Sequence, residues 1–233
     1  MPQNTSFQII RPQPSDAGRI AEIHLAAMHS NPLLHAQFPS PASRQALQRF
    51  LEAHTAAQLG NSPASGVLVA QDSVAGAIAG FVKWESPRHP ALDGKLESGG
   101  VGELEGCKRE FLERYVRAAE EARERCFGEE KEYYCLSFVC TDPAYQGQGA
   151  GSLLTREVLE MAADDGLPVY LESTDVALPM YERLGFRAID GFEMRIPKSG
   201  SDSEELSGAY KEMCMVWYPP RTMGQGQSGG LER

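Results

Sequence analysis

Lysine is missing from the whole stretch between Lys131 and Lys198. That stretch holds the glycine cluster Gly147, Gly149 and Gly151, in the segment QGQGAG. A nucleoside-triphosphate loop needs a Gly-Lys pair followed by Ser or Thr, because the lysine meets the β- and γ-phosphates. None is present, and that class is excluded. A dinucleotide fingerprint is missing as well. Counted from Gly147, G-x-G-x-x-G requires a glycine at the position of Ser152, and no opening strand–helix–strand unit precedes the cluster.

Positive charge is also in short supply. Acidic residues outnumber basic ones 32 to 22, for a net charge of −10. A nucleic-acid binder needs the opposite balance to meet phosphates, so no nucleic-acid partner is expected. The five cysteines, Cys107, Cys126, Cys135, Cys140 and Cys214, form no C-x-x-C pair. Neither a disulfide framework nor a metal site is predicted; the thiols are expected to pack as small hydrophobes in a reducing compartment. No apolar run approaches the roughly 18 residues that span a bilayer. The first residues, MPQNTSFQIIRPQPSDAG, lack the charged start and apolar core of a secretory signal. A cytoplasmic protein without a membrane partner is expected, with the nucleus as the other compartment.

The 233 residues, 42% of them hydrophobic, suit one well-buried core. A short β-like run, FQII, opens the chain. PSDAGRIAEIHLAAMHS reads as a helix capped at Ser15 or Asp16. A second helix follows, with Ser40 as cap, Pro41 at its first position and Gly60 at its end. GVLVAQD and AGAIAGFVKWES are two strands around a turn at Asp72 and Ser73. Residues 86–106, rich in Gly, Pro and charge, predict a surface loop or a partly disordered insertion. The charged helix after it places Phe111, Tyr115 and Ala119 on one side and a solvated Glu/Arg face on the other. The apolar strand EYYCLSFVC precedes the glycines, and a helix to about Asp165 follows them. Then come the strand PVYLEST, a short helix ended by Gly185, and two closing strands around a polar loop at 197–208. Residues 219–233 are expected to form a disordered tail. Early and late hairpins around a strand–helix–strand middle predict an α/β (α+β type) fold: a mixed sheet with helices on both faces.

With the two commonest phosphate loops excluded, the glycine segment is a strand, a Pro-containing turn and backbone amides converging on a helix start. Glycines permit close approach and φ values barred to other residues. The first-turn amides are unpaired and sit at the positive end of the helix dipole. Such a start holds a pyrophosphate.

Gln146-Gly147-Gln148-Gly149-Ala150-Gly151 matches Q/R-x-x-G-x-G/A and resembles the acetyl-coenzyme A signature of the GCN5-related N-acetyltransferases (GNAT superfamily). A second element of that family, Tyr181 four residues before Gly185 and Phe186, follows after the strand VYLES. The resemblance covers about residues 6–218 and implies one domain over 1–218, with residues 86–130 as a charged insertion. It implies a mostly antiparallel sheet of about seven strands, with a V-shaped splay between two parallel central strands. The co-substrate it implies is acetyl-CoA, with no metal. Pantetheine would pair with the backbone of Val139 and Thr141, whose amides could polarise the thioester carbonyl. The amides of Gly147, Gln148, Gly149, Ala150, Gly151 and Ser152 would hold the pyrophosphate, with Gln146 ordering the loop.

The resemblance further makes Tyr181 the general acid toward the departing thiolate. Glu172 and Asp142 are both candidates for the base, as is a water chain. The acceptor would lie among residues 28–40, 84–106 and 191–210, which include His29, His35, Phe38, Trp84 and His89. The expected activity is N-acetylation of an amine by direct attack, with a small-molecule amine favoured by the acidic balance. A peptide or protein acceptor, a coenzyme-binding protein without transfer, and a homodimer are also compatible.

Overall fold

The computed structural model describes residues 6–61, 66–87, 100–127, 132–197 and 208–220. The expected tail at 219–233 falls almost wholly outside these residues, as do His89 and most of the loops at 86–106 and 197–208. Seven strands form one sheet: β1 (Phe7–Ile10), β2 (Val67–Asp72), β3 (Ile78–Glu85), β4 (Tyr134–Thr141), β5 (Val169–Ser173), β6 (Arg187–Ile196) and β7 (Gly208–Trp217). Their order across the sheet is β1-β2-β3-β4-β5-β7-β6. Every pair is antiparallel except β4 with β5.

Alternation along the strands sends side chains to two helical layers. Leu68 and Ala70 of β2, with Val82 and Trp84 of β3, pack with Leu154, Val158 and Ala162 of α5 (Ala150–Asp165). Val67, Val69 and Phe81 pack on the opposite face with Ile20 and Ile23 of α1 (Ala17–Ala27). Covered on both sides, β3 is buried along almost its entire length. The α1 face also carries α2 (Pro32–Gln37), α3 (Pro41–Asn61) and α4 (Arg109–Phe127). Ser40 caps α3, accepting from Ser43 N at 3.0 Å, as its position before Pro41 predicts. No helix among the described residues is long and apolar enough to cross a membrane.

The structure adds a helix the composition did not announce. Residues 32–37 form α2, started by Pro32 and capped by Asn31, which accepts from Leu33 N at 2.8 Å. Six residues are too few to show a helical period, so only the cap marks it. The charged helix α4, expected within an insertion, is packed into the fold through Phe111, Leu112, Ala119 and Ala122. Its polar side is not wholly solvated, because Arg123 and Arg125 reach Glu172 and Asp190.

Two ionisable side chains, His24 of α1 and Lys83 of β3, are buried. Lys83 donates to Thr55 Oγ1 at 2.7 Å, and burial pushes its pKa down to about 8. His24 sits against Phe138, with ring centroids 4.5 Å apart. Burial, with the Lys83 charge nearby, pushes its pKa down to about 3.

Candidate active site

Strands β4 and β5 pair only at Tyr134↔Val169 and Cys135↔Tyr170. Beyond that point β4 continues to Thr141 and β5 to Ser173 without pairing. The separation coincides with a bulge in β4: Lys83 faces Phe138 while Trp84 faces Leu136, leaving Ser137 as the extra residue. The Asp142 amide points to β3, donating to Ala79 O at 2.8 Å. Alternation therefore turns the amides of Thr141 and Val139 toward the open side. These unpaired edges belong to a cleft of about 900 Å³ that Val139, Cys140 and Thr141 help to line.

The glycine loop closes one end of this cleft. Gly147 and Gly149 have φ of +75° and +97°, the left-handed region where a side chain is strained. Gly149 is the N-cap of α5, so Ala150, Gly151 and Ser152 present their free amides into the cleft they line. Gly151 is under no such constraint: a Cβ there would make only ordinary contacts, 3.4 Å from Met180 Sδ and Thr141 Oγ1. Gln146 donates to Thr141 O at 3.3 Å and Gln148 to Ala144 O at 3.1 Å. Both glutamine amides thus brace the loop from within.

Tyr181, on α6 (Leu178–Arg183), lines the same cleft and is 6% exposed. The short helix ends at Gly185, whose φ of +94° reverses the chain. Phe186 N then donates back to Tyr181 O at 3.1 Å, and the two rings meet edge to face at 5.5 Å. The spacing Tyr-x-x-x-Gly-Phe is therefore the geometry that fixes this phenol. Burial, then the charges at Cys140 and Glu212, push its pKa above the usual tyrosine value and keep the hydroxyl protonated.

The two expected carboxylates go elsewhere. Asp142 does not line the cleft. One oxygen accepts from Ala144 N at 2.8 Å and the other takes Arg19 at 2.5 Å. Burial raises its pKa, but these donors outweigh that and hold it below the usual carboxylate range. Asp142 thereby ties α1 to the end of β4. Glu172 also lies outside the cleft lining; it is bound to Arg123 on the α4 side of β5, and its side chain is 8% exposed. Among the expected acceptor residues, Phe38 and Trp84 are core side chains. His35 contacts His29 O at 2.7 Å, and neither histidine lines the cleft.

The cleft contains polar side chains that sequence reasoning did not single out. Asn31 and Tyr210 line its far end, and Asn31 Nδ2 donates to the Tyr210 hydroxyl at 3.3 Å. Tyr210 donates in turn to Glu212 Oε1. Tyr115 of α4 donates to Glu212 Oε2 at 3.1 Å. A signal was available: Tyr210, Glu212, Cys214 and Val216 alternate along β7, and Glu212 stands at a phase otherwise buried. Arg183 and Lys211 supply positive charge to the cleft wall.

Comparison with known proteins agrees with this geometry. Residues 109–195 match an acetyltransferase (GNAT) domain. The chain is 43% identical over 51 residues to a glucosamine 6-phosphate N-acetyltransferase of Trypanosoma brucei brucei, covering 22% of this chain and 35% of that protein. It is 40% identical over 74 residues to the N-alpha-acetyltransferase RimI of Mycobacterium tuberculosis, covering 30% and 45%. These matches thus span less than half the length of either relative. Among solved structures, a polyamine N-acetyltransferase of Drosophila melanogaster superposes with a TM-score of 0.58 at 19% identity, over 91% of this chain and 100% of that one. A putative acetyltransferase of Salmonella typhimurium with its cofactor acetyl-CoA gives 0.52 at 17% identity, over 96% and 99%. At such identities the likeness is one of fold. Residues 109–195 thus match a GNAT acetyltransferase domain, and the splayed seven-stranded sheet has the fold of these solved structures.

Proposed function

We propose that this protein is an N-acetyltransferase that moves an acetyl group from acetyl-CoA to a small-molecule amine by direct attack. The observation carrying this reading is the convergence of three features on one cleft: the unpaired β4 edge, the free amides that start α5, and the Tyr181 phenol. In this reading the amides of Gly147 to Ser152 bind the pyrophosphate, which suits α5 as a helix start with no side chain in the way. Arg183, which also lines the cleft, adds positive charge. Val139 and Thr141 pair with the pantetheine arm, and their amides polarise the thioester carbonyl. Tyr181 gives its proton to the sulfur as the carbon–sulfur bond breaks. Its raised pKa suits a donor that must stay protonated at neutral pH.

The amine class is favoured by the names of the relatives, which include a sugar phosphate and a polyamine N-acetyltransferase. The net charge of −10 favours a cationic acceptor. The free state of all five cysteines agrees with a reducing, cytosolic setting.

The test is thiol release from acetyl-CoA in the presence of pooled amines, for the native chain and Tyr181→Phe. Native turnover is expected, and the variant should bind acetyl-CoA normally while turning over at least about tenfold more slowly. Binding without thiol release by the native chain would point instead to a coenzyme-binding protein. Unchanged turnover in the variant would remove Tyr181 from its role.

A further inference from the structure

Behind Tyr210, which lines the cleft, lies a buried acid with no role so far. Glu212 is 6% exposed, and both its carboxylate oxygens accept from phenols: Oε1 from Tyr210 and Oε2 from Tyr115. Tyr210 is the member that reaches the cleft. Its oxygen donates its one proton to Glu212 and accepts one hydrogen bond from Asn31 at 3.3 Å. A phenol oxygen has a second lone pair. With Asn31 fixed by its cap on α2, that lone pair is left for a donor arriving through the cleft. An ammonium is such a donor, and the ring of Tyr210, which lines the cleft, suits a cation.

We propose that Tyr210 and Glu212 form a proton relay that reads the acceptor as an ammonium and converts it to the attacking amine. This rests on the transferase reading above. Tyr210 accepts a proton from the acceptor nitrogen while its own hydroxyl proton passes to Glu212, so the phenol is neutral before and after. The nitrogen gains a free electron pair and forms the carbon–nitrogen bond as the carbon–sulfur bond breaks. Of the three ammonium protons, one leaves through Glu212 to solvent, one balances the proton that Tyr181 gives to sulfur, and one stays on the amide. Tyr210 touches the acceptor; Glu212 acts through it.

The surrounding groups are consistent with this step. Tyr115 faces the carboxylate from α4, Asn31 faces the phenol from the start of α2, and Phe192 lies directly opposite Glu212 on β6. Lys211, the neighbouring cation, is paired with Glu193 at 3.0 Å. Cys214 lies two residues along β7 and pairs across to Glu172, which Arg123 neutralises. Tyr181 of α6 and Tyr210 line the same cleft, which brings the two ends of the proton transfer into one site.

The experiment uses the full chain with acetyl-CoA and five probes: agmatine, spermidine, phenethylamine, glucosamine 6-phosphate and a peptide starting with alanine. Thiol release is followed from pH 6 to 10 for the native chain, Tyr210→Phe, Glu212→Gln and Glu212→Asp. Acetyl-CoA binding is measured by calorimetry alongside. Tyr210→Phe and Glu212→Gln should bind acetyl-CoA normally and lose at least about tenfold in kcat/KM near neutrality, the loss shrinking as pH rises and free amine becomes abundant. Glu212→Asp should keep part of the native rate and the native pH profile. A uniform drop with the native profile would mean a structural network and overturn the relay while leaving the transferase reading intact. Acetyl-CoA binding without thiol release by the native chain for every probe would overturn both. If Glu212→Gln does not fold, Tyr210→Phe, which keeps the ring, decides alone.

Discussion

Arg123 donates to Glu172 Oε1 at 3.0 Å, joining the C-terminal part of α4 to the end of β5. The guanidinium also lies 5.3 Å from the centre of the Tyr170 ring. Two residues of β5 that are two positions apart, Tyr170 and Glu172, thus hold one arginine, and that arginine fixes α4 to the sheet. The carboxylate is engaged on the α4 side and does not line the cleft.

Glu172→Gln should therefore act on stability. It leaves the Arg123 charge without its partner in a site where the arginine side chain is only 28% exposed. Breaking a fully buried pair costs about 3–5 kcal/mol, so about 2 kcal/mol is expected for this partly buried one. Urea denaturation measures the loss. The pH profile of turnover per folded molecule should stay native; a lost acidic limb would return Glu172 to the role of base.

The glycines of the loop should differ in what they tolerate. Gly149→Ala forces a side chain to φ near +97°, although nothing lies within 4 Å of its Cβ. The strain is on the order of 1–2 kcal/mol, and relaxing it moves the amides at the start of α5. Acetyl-CoA affinity should fall about tenfold, the equivalent of roughly 1.4 kcal/mol. Gly151→Ala meets only ordinary contacts with Met180 and Thr141 and gains helix propensity. Its affinity should change much less. Calorimetry on both variants checks the contrast, and equal losses would contradict it.

His24 should make the fold acid-sensitive. Its pKa is pushed from 6.5 down to about 3 in the folded chain, chiefly by burial. Between those values the unfolded chain binds the extra proton and the folded chain does not, so stability falls as pH falls through that window. The full effect is on the order of 5 kcal/mol. His24→Leu cannot take up that proton. Its unfolding free energy should fall less steeply between pH 6.5 and 4 than that of the native chain, as thermal or urea unfolding across that range would show.

The candidate site was legible wherever local backbone geometry constrains residue type. Left-handed φ at Gly147, Gly149 and Gly185 can be met cheaply only by glycine, so the loop and the Tyr181 element stand out in a single chain. The strands around them show as apolar runs, and the seven-stranded mixed sheet follows from their order. Helix α2 was hidden because six residues carry no period. The charged face of α4 was read as solvated because an arginine that ends against a distant glutamate looks, in sequence, like any other.

The sequence alone determined the kind of backbone at residues 146–152 and 181–186, because those constraints act between neighbours in the chain. Only the tertiary structure decided the company of the carboxylates. Asp142 found Arg19 from 123 positions away, Glu172 found Arg123 across 49, and Glu212 found Tyr115 across 97. A carboxylate's chemistry is set by what lies within a few ångströms of it. Those neighbours came from other elements of the fold, with no fixed spacing along the chain.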